Sequence, residues 1–93
     1  MNNLKLIKFK YGEEIIAECF DDGSNTLSIK NSAALIPAEN NGWHLVTWLP
    51  YTNVKDGLDI PKTEIFFMAD LSQDMVEYYT KWKELLKQNK VKE

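Results

Sequence analysis

Apolar and polar residues alternate along the first part of the chain, loosely at first and then cleanly, and this pattern predicts β-strands. Residues 4–11 and 13–20 form the first two strand segments, with a turn at Gly12 between them. Residues 26–31 alternate most clearly, and the polar run 21–25 before them has the composition of a tight turn. The second and third strands are therefore expected to form a hairpin.

Two further strands are expected in the second half of the chain. The third strand should extend or bend through residues 33–36 before Pro37 ends its pairing. Residues 43–49 and 64–69 are then predicted as the fourth and fifth strands, and neither segment has a polar face. Residues 50–61 between them are predicted to form a loop, because they contain several turn-forming residues.

The last segment has a helical period instead. Its apolar stripe has the spacing i, i+4, i+7 and i+11 and consists of Met75, Tyr79, Trp82 and Leu86. We predict an amphipathic helix from about residue 72 to 88, with Asp70 or Ser72 as its N-terminal cap. Acidic residues near its start and lysines near its end agree with the helix dipole.

These elements predict one mainly β domain spanning residues 1–93, a small and strongly bent antiparallel sheet or barrel of five strands with a C-terminal α-helix. Strands four and five are apolar on both faces, and a helix of about four turns cannot cover them fully. We therefore expect a second copy of the chain to cover Trp48, Phe66 and Phe67 in a homo-oligomer. In the alternative, the helix and the 50–61 loop cover these residues and the chain is a monomer.

Charge and hydropathy limit the classes of partner. The net charge is −3, and all of the basic residues are lysines, so the forked guanidinium that binds phosphate and guanine is missing. This composition counts against broad nucleic-acid binding and leaves room for a local basic patch. No apolar run has the length of a signal peptide core or a membrane span, so no membrane partner is expected and the cytoplasm is the expected location.

Few residues offer catalytic or metal-binding chemistry. Cys19 and His44 are the only soft metal ligands, whereas zinc needs three or four, and Cys19 shares a strand face with apolar residues. Glu13 and Glu14 are adjacent on a strand and therefore point to opposite faces. Because no phosphate-binding loop or nucleophile motif is present either, we expect no enzymatic activity, no catalytic residue, no metal and no cofactor.

The first third of the chain resembles the first sequence motif of the Sm-like (Lsm) family. That motif has an apolar strand, a turn glycine, a second strand, a hairpin of the form Asp-x-x-x-Asn and an alternating third strand, and here Gly12, Asp21 and Asn25 occupy its marked positions. Residues 4–36 match in spacing, and residues 43–69 match only in strand order. The strings at 12–17, 48–52 and 75–79 are also similar to small Sm-like proteins of T-even-type phages and cyanophages.

The resemblance implies a homo-oligomeric ring in which strand four of one subunit pairs with strand five of the next. It also implies that Asp21 and Asn25 lie near the pore and contact bases of single-stranded RNA. Three departures separate this chain from the family, and one of them is a slightly short second strand. The Arg-Gly pair that ends the second motif is missing, because the chain has no arginine, and the helix follows the last strand instead of preceding the first.

Two hypotheses for the function follow. In the first, the chain is a ring-forming binding module with single-stranded RNA as a candidate ligand at Asp21 and Asn25. In the second, it is a phage structural or assembly protein whose ring binds other phage or host proteins and no nucleic acid. Both residues also suit a hairpin turn, because their side chains bond the local backbone, so the turn role and the RNA role stay open. If the chain is phage-encoded, its location is the cytoplasm of the infected cell.

Overall fold

The computed structural model describes residues 3–39, 42–50, 52–53 and 56–92, with side chains as far as residue 87. The described residues form an antiparallel sheet and one C-terminal helix. The elements in chain order are β1 (Leu4–Phe9), β2 (Glu14–Phe20), β3 (Thr26–Pro37), β4 (Trp43–Thr47), β5 (Leu58–Pro61), β6 (Ile65–Asp70) and α1 (Gln73–Lys92), with a 3-10 turn at Lys62–Glu64.

The sheet has six strands in the order β4-β3-β2-β1-β6, and β5 pairs with β3 off this path. All of the pairings are antiparallel. The strands β4 and β6 stand at opposite ends of the order and do not pair with each other, so the sheet is open. The mainly β antiparallel sheet with a C-terminal helix is confirmed, whereas the barrel and the number of five strands are corrected to an open sheet of six strands.

The additional strand lies inside the segment predicted to be a loop. Strand β5 pairs with the beginning of β3, from Thr26 opposite Pro61 to Ile29 opposite Leu58. The prediction for 50–61 was wrong in its last four residues because a strand this short shows hardly one full alternation. Pro61 also argues against a strand at this position, although proline is tolerated at the end of an edge strand.

Both faces of the sheet are covered by apolar side chains. On one face lies the inner cluster, whose buried members are Ile7, Ile15, Ala17, Cys19, Leu27, Ile29, Ala34 and Ile60. On the other face lies the helix cluster, in which Ile16, Ala33, Leu45 and Tyr79 are buried and Met75 and Trp82 pack against them. The amphipathic stripe of the helix therefore covers one face of the sheet, as its spacing predicts.

A bulge in the middle of β3 decides which side chains reach which cluster. Ile16 pairs with Ala33 while Glu18 pairs with Lys30, so β3 contains one extra residue over this interval. Asn31 lies in this interval with a φ of 52°, in the left-handed region that asparagine adopts more readily than most residues. The bulge reverses the alternation, because Ile29 lies in the inner cluster and Ala33 in the helix cluster.

The helix begins immediately after Ser72 and runs further than expected. The backbone N–H of Met75 donates to Ser72 Oγ at 3.3 Å, and the N–H of Val76 donates to the Ser72 carbonyl at 3.0 Å. Ser72 is therefore the cap, while Asp70 forms an ion pair with Lys5 on β1. The helical prediction for 72–88 is confirmed and extends to Lys92.

Candidate functional site

The β2–β3 hairpin carries the two residues predicted to contact RNA. Asp21 Oδ1 accepts a hydrogen bond from the N–H of Gly23 at 2.9 Å, and Asp22 Oδ1 accepts one from the N–H of Ser24 at 3.0 Å. Gly23 has a φ of 87°, which a residue with a side chain adopts only under strain. The hairpin is thus held by its own side chains, as the turn interpretation of Asp21 predicts.

A lysine from a distant part of the chain completes this region. Lys62 Nζ lies 2.7 Å from Asp21 Oδ1, and the Lys62 backbone N–H donates to the Asn25 carbonyl at 2.9 Å. Both contacts arise because β5 pairs with the beginning of β3, so the turn that follows β5 arrives beside the hairpin. Sequence analysis missed Lys62, and only recognition of β5 as a strand could have revealed it.

The charge of the hairpin region favours contact with bases over contact with phosphates. Its charged groups are the carboxylates of Asp21 and Asp22 and the ammonium of Lys62. The hydrogen bond from Lys62 lowers the pKa of Asp21, helped by the Gly23 N–H, and hydrogen bonds from Ser24 lower the pKa of Asp22. Two ionised carboxylates against one cation accept hydrogen bonds from amino groups well and attract phosphate poorly.

The side chain of Asn25 and a neighbouring aromatic ring are available to a ligand. Asn25 is exposed, and its amide makes no hydrogen bond to the described residues. Phe20 is 46% exposed and lines a shallow depression of about 510 Å³ together with both hairpin aspartates. An exposed ring next to polar hairpin groups is a surface on which a base can stack.

Trp48 packs within its own subunit. Its ring stacks on Phe9 with the centroids 5.6 Å apart, and its Nε1–H donates to Glu13 Oε2 at 2.7 Å. It also borders the inner cluster and is half-buried there. The packing role of Trp48 needs no second copy of the chain, and its place in an oligomer interface stays a prediction.

The phenylalanines of β6 have a different environment. Phe66 is 66% exposed and Phe67 is 44% exposed, and Met68 beside them is exposed as well. The bulge between β1 and β6 falls at Phe66, because Lys8 pairs with Phe67 and Phe9 with Ile65. Among the described strands β6 pairs only with β1, so its other edge and these apolar side chains face outward.

The opposite end of the sheet also shows apolar side chains. Trp43 and Val46 of β4 are exposed, and β4 pairs with β3 alone among the described strands. The Trp43 ring meets Tyr78 of α1 edge-on, with the centroids 4.7 Å apart. Both ends of the open sheet therefore combine an unpaired strand edge with exposed aromatic residues.

Metal and thiol chemistry find little support in the described part of the chain. Cys19 is a buried free thiol, and burial raises its pKa to about 11, so it is protonated and unreactive at neutral pH. No three residues among the described His, Cys, Asp and Glu come close enough to hold a metal ion together. The described helix is not apolar enough over its length to cross a membrane.

Comparisons with known proteins add no relative to this picture. No protein-family model matches the chain, and no curated protein matches it either. The candidate interface is therefore defined by two features of the molecule itself: the hairpin with Lys62 and the two apolar edges of the sheet.

Proposed function

We propose that the chain is an Sm-like, ring-forming binding module. The supporting observation is the exposed apolar edge of β6, where Phe66 and Phe67 lie beside a strand edge that no described strand pairs. An exposed edge of this kind is a template for pairing with another chain, and an apolar patch on it favours association over solubility.

The second end of the sheet offers the matching surface. Pairing of β4 of one copy with β6 of the next would satisfy the backbone groups of both edges and bury Trp43, Val46 and Phe67 together. Such contact is head-to-tail, since it joins two different surfaces, and it closes into a ring when the rotation between copies closes. This is also the pairing that the Sm-like resemblance implies.

Sedimentation velocity tests the edge directly. Phe66→Lys places a charge on the most exposed residue of β6, where it should leave the fold intact and dissociate the oligomer. Leu85→Lys is the matched control, because Leu85 is 59% exposed and lies on α1 instead of on an edge strand. Equal sedimentation coefficients for wild type and Phe66→Lys, with folding verified by circular dichroism, would refute assembly through β6.

Single-stranded RNA is the candidate ligand of the ring. The specific support is that Lys62 contacts both Asp21 and Asn25, and that the exposed ring of Phe20 lines a depression together with Asp21. This arrangement exists although the chain has no arginine. One such site is weak by itself, because two carboxylates against one ammonium give it a net negative charge that repels phosphate. A ring repeats the site in every subunit, and the effective concentration of neighbouring sites along one strand raises the affinity.

RNA titrations separate this ligand from the protein-binding alternative. Oligo-U or oligo-A should bind at low salt, and Asn25→Ala should reduce the affinity because it removes an amide that can contact a base. Gln73→Ala removes an exposed amide at the start of α1 and should leave binding unchanged. Absence of binding at low salt would remove RNA and favour a ring that recognises phage or host proteins, which pull-downs from infected cells would then recover without nucleic acid.

A further inference from the structure

The ion pair at the β2–β3 hairpin leaves one carboxylate oxygen unused. Lys62 Nζ and the N–H of Gly23 both donate to Oδ1 of Asp21, at 2.7 and 2.9 Å. The other oxygen, Oδ2, has no hydrogen-bond partner among the described residues. The side chain of Asp21 is 50% exposed and that of Lys62 is 36% exposed. The pair therefore presents an acceptor and a donor group to solvent.

The unused hydrogen-bonding capacity of this pair has a definite pattern. An ionised carboxylate only accepts, and Oδ2 of Asp21 keeps both of its lone pairs, whereas the ammonium of Lys62 only donates. Lys62 uses one N–H group for Asp21, so further N–H groups remain for a ligand. The lowered pKa of Asp21 keeps its carboxylate ionised at neutral pH. A matching ligand offers donors to Asp21 and, beside them, an acceptor to Lys62.

Among the RNA bases, guanine has an edge with this pattern. Its Watson–Crick edge carries the donors N1–H and the N2 amino group next to each other, followed by the acceptor O6. Uracil has a single donor between two carbonyl oxygens, and a carbonyl oxygen that faces a carboxylate is repelled. Adenine and cytosine each place one amino donor beside a ring nitrogen that accepts. Guanine alone gives two hydrogen bonds to one carboxylate.

Phe20 supplies the flat apolar surface on which a base can stack. Its ring is 46% exposed and lines the depression of about 510 Å³ together with Asp21, Asp22 and Asn3. It also lines two neighbouring depressions, one toward α1 and one toward β5, so it is open on several sides. Because Asp21 is the next residue along the chain, a base stacked on Phe20 lies beside the hairpin carboxylates.

The charge of the hairpin makes the base more important than the phosphate. The carboxylates of Asp21 and Asp22 outnumber the ammonium of Lys62, so phosphates gain little here. Phosphate contacts are the same for every RNA sequence, whereas contacts to base edges distinguish one sequence from another. A site that attracts phosphate poorly therefore depends on the base for most of its binding energy.

We infer that the hairpin selects guanine. Its N1–H and N2 amino group donate to Oδ2 of Asp21, its O6 accepts from Lys62, and its ring stacks on Phe20. This inference rests on the proposed function, because it names the base that the RNA site prefers. Asp21 determines specificity in this arrangement, and Phe20 contributes affinity for any base.

Fluorescence anisotropy with four labelled RNA heptamers tests the selection. One is heptauridine, and the others carry guanosine, inosine or adenosine at the central position. We expect the guanosine RNA to bind about tenfold more tightly than heptauridine, which corresponds to hydrogen bonds with a charged group in a site open to water. Inosine lacks the N2 amino group of guanosine, so its RNA should bind with an affinity between these two.

Three variants separate specificity from affinity. Asp21→Asn keeps the shape of the side chain and removes the carboxylate, so it should abolish most of the preference for guanosine. Asp74→Asn removes the same charge from the exposed first turn of α1 and should keep the preference. Phe20→Leu should weaken the binding of every heptamer by a similar factor, because stacking tolerates all bases. Circular dichroism verifies that the variants fold.

The outcomes distinguish this inference from the proposed function. Equal affinities for the four heptamers, or a preference for guanosine that Asp21→Asn leaves intact, would overturn guanine selection and leave RNA binding standing. Unchanged affinities in Phe20→Leu would overturn the stacking arrangement. If no heptamer binds even at low salt, both the RNA ligand and the inference are overturned. A preference for guanosine that is lost in Asp21→Asn and kept in Asp74→Asn supports the inference.

Discussion

The hydroxyl of Tyr79 donates a hydrogen bond to the backbone carbonyl of Asn31 at 2.6 Å, and this bond ties α1 to the bulge of β3. Tyr79 is 2% exposed, so the bond forms with little competition from water. Asn31 holds the left-handed conformation on which the face reversal of β3 depends. Tyr79 therefore joins the helix cluster to the bulge that reverses the faces of β3.

Replacement of Tyr79 by phenylalanine should destabilise the protein. Tyr79→Phe keeps the ring in the helix cluster and removes the donor to Asn31, which should cost about 1–3 kcal/mol in the free energy of unfolding. Tyr78→Phe is the matched control, because Tyr78 is exposed on the same helix and should change stability by less than about 0.5 kcal/mol. Urea denaturation measures both, and equal stabilities of the two variants would contradict the role of the bond.

Stability should fall at alkaline pH because two buried groups hold their protons. Burial raises the pKa of Cys19 from 9.0 to about 11, and burial with the nearby Glu18 carboxylate raises the pKa of Tyr79 well above 10.0. A group whose pKa is higher in the folded protein than in the unfolded chain contributes stability that is fully present below the unfolded pKa. This stability is lost as the pH rises from the unfolded pKa to the folded one. Urea denaturation between about pH 8 and 11 should show the decline.

Each group should account for part of this alkaline decline. Cys19→Ala should flatten the part of the curve that begins near pH 9, where the thiol of the unfolded chain ionises. Tyr79→Phe should flatten the part that begins near pH 10. A decline of unchanged size in the double variant would show that other groups cause it.

The ammonium of Lys62 should control the acidity of Asp21. Lys62→Ala removes the first cause of the lowered pKa, so the pKa of Asp21 should rise toward its ordinary value of 3.8. Asp22 serves as an internal control, because its pKa is lowered mainly by hydrogen bonds from Ser24, and Lys62→Ala does not remove these hydrogen bonds. Carbon-detected titration of the two side-chain carboxyls resolves them, and an unchanged pKa of Asp21 would mean that the ion pair does not persist in solution.

The hairpin should depend on the glycine at its tip. Gly23→Ala puts a side chain on a residue with a φ of 87°, where the added Cβ meets no atom within 4 Å, so the cost is conformational and about 1–2 kcal/mol. Gly42→Ala is the control, because Gly42 has no such φ and its Cβ would make only an ordinary contact, 3.5 Å from the Glu39 carbonyl oxygen. Thermal unfolding compares the two, and equal melting temperatures would contradict the strained turn.

The fold was predictable wherever a segment was long enough to show its own period. Alternation located β1 to β3 and continuous apolar runs located β4 and β6, each within a few residues. The stripe through Met75 and Trp82 located α1 and the face that it buries. Strand β5 was not predicted, because four residues show too little alternation and its position depends on pairing with β3. The lack of pairing between β4 and β6 was not predicted either. Whether a sheet closes depends on how strands distant in sequence meet, and no local pattern indicates it.

The candidate sites were predictable only in part, for a related reason. Asp21 and Asn25 lie in a turn that the local sequence specifies, so the hairpin was predictable, while their contact with RNA stays a prediction. Lys62 reaches Asp21 from 41 positions away through the pairing of β5, and no local signal marks it. The bulge of β3 depends on one left-handed residue, Asn31, and alternation in the sequence cannot indicate that conformation.

Native mass spectrometry of the wild-type chain tests the central proposal most directly. Assembly through the edges of β4 and β6 predicts one dominant closed oligomer, with a mass that is an integer multiple of the 10.8 kDa subunit. A spectrum that contains only the monomer at every protein concentration would contradict the ring.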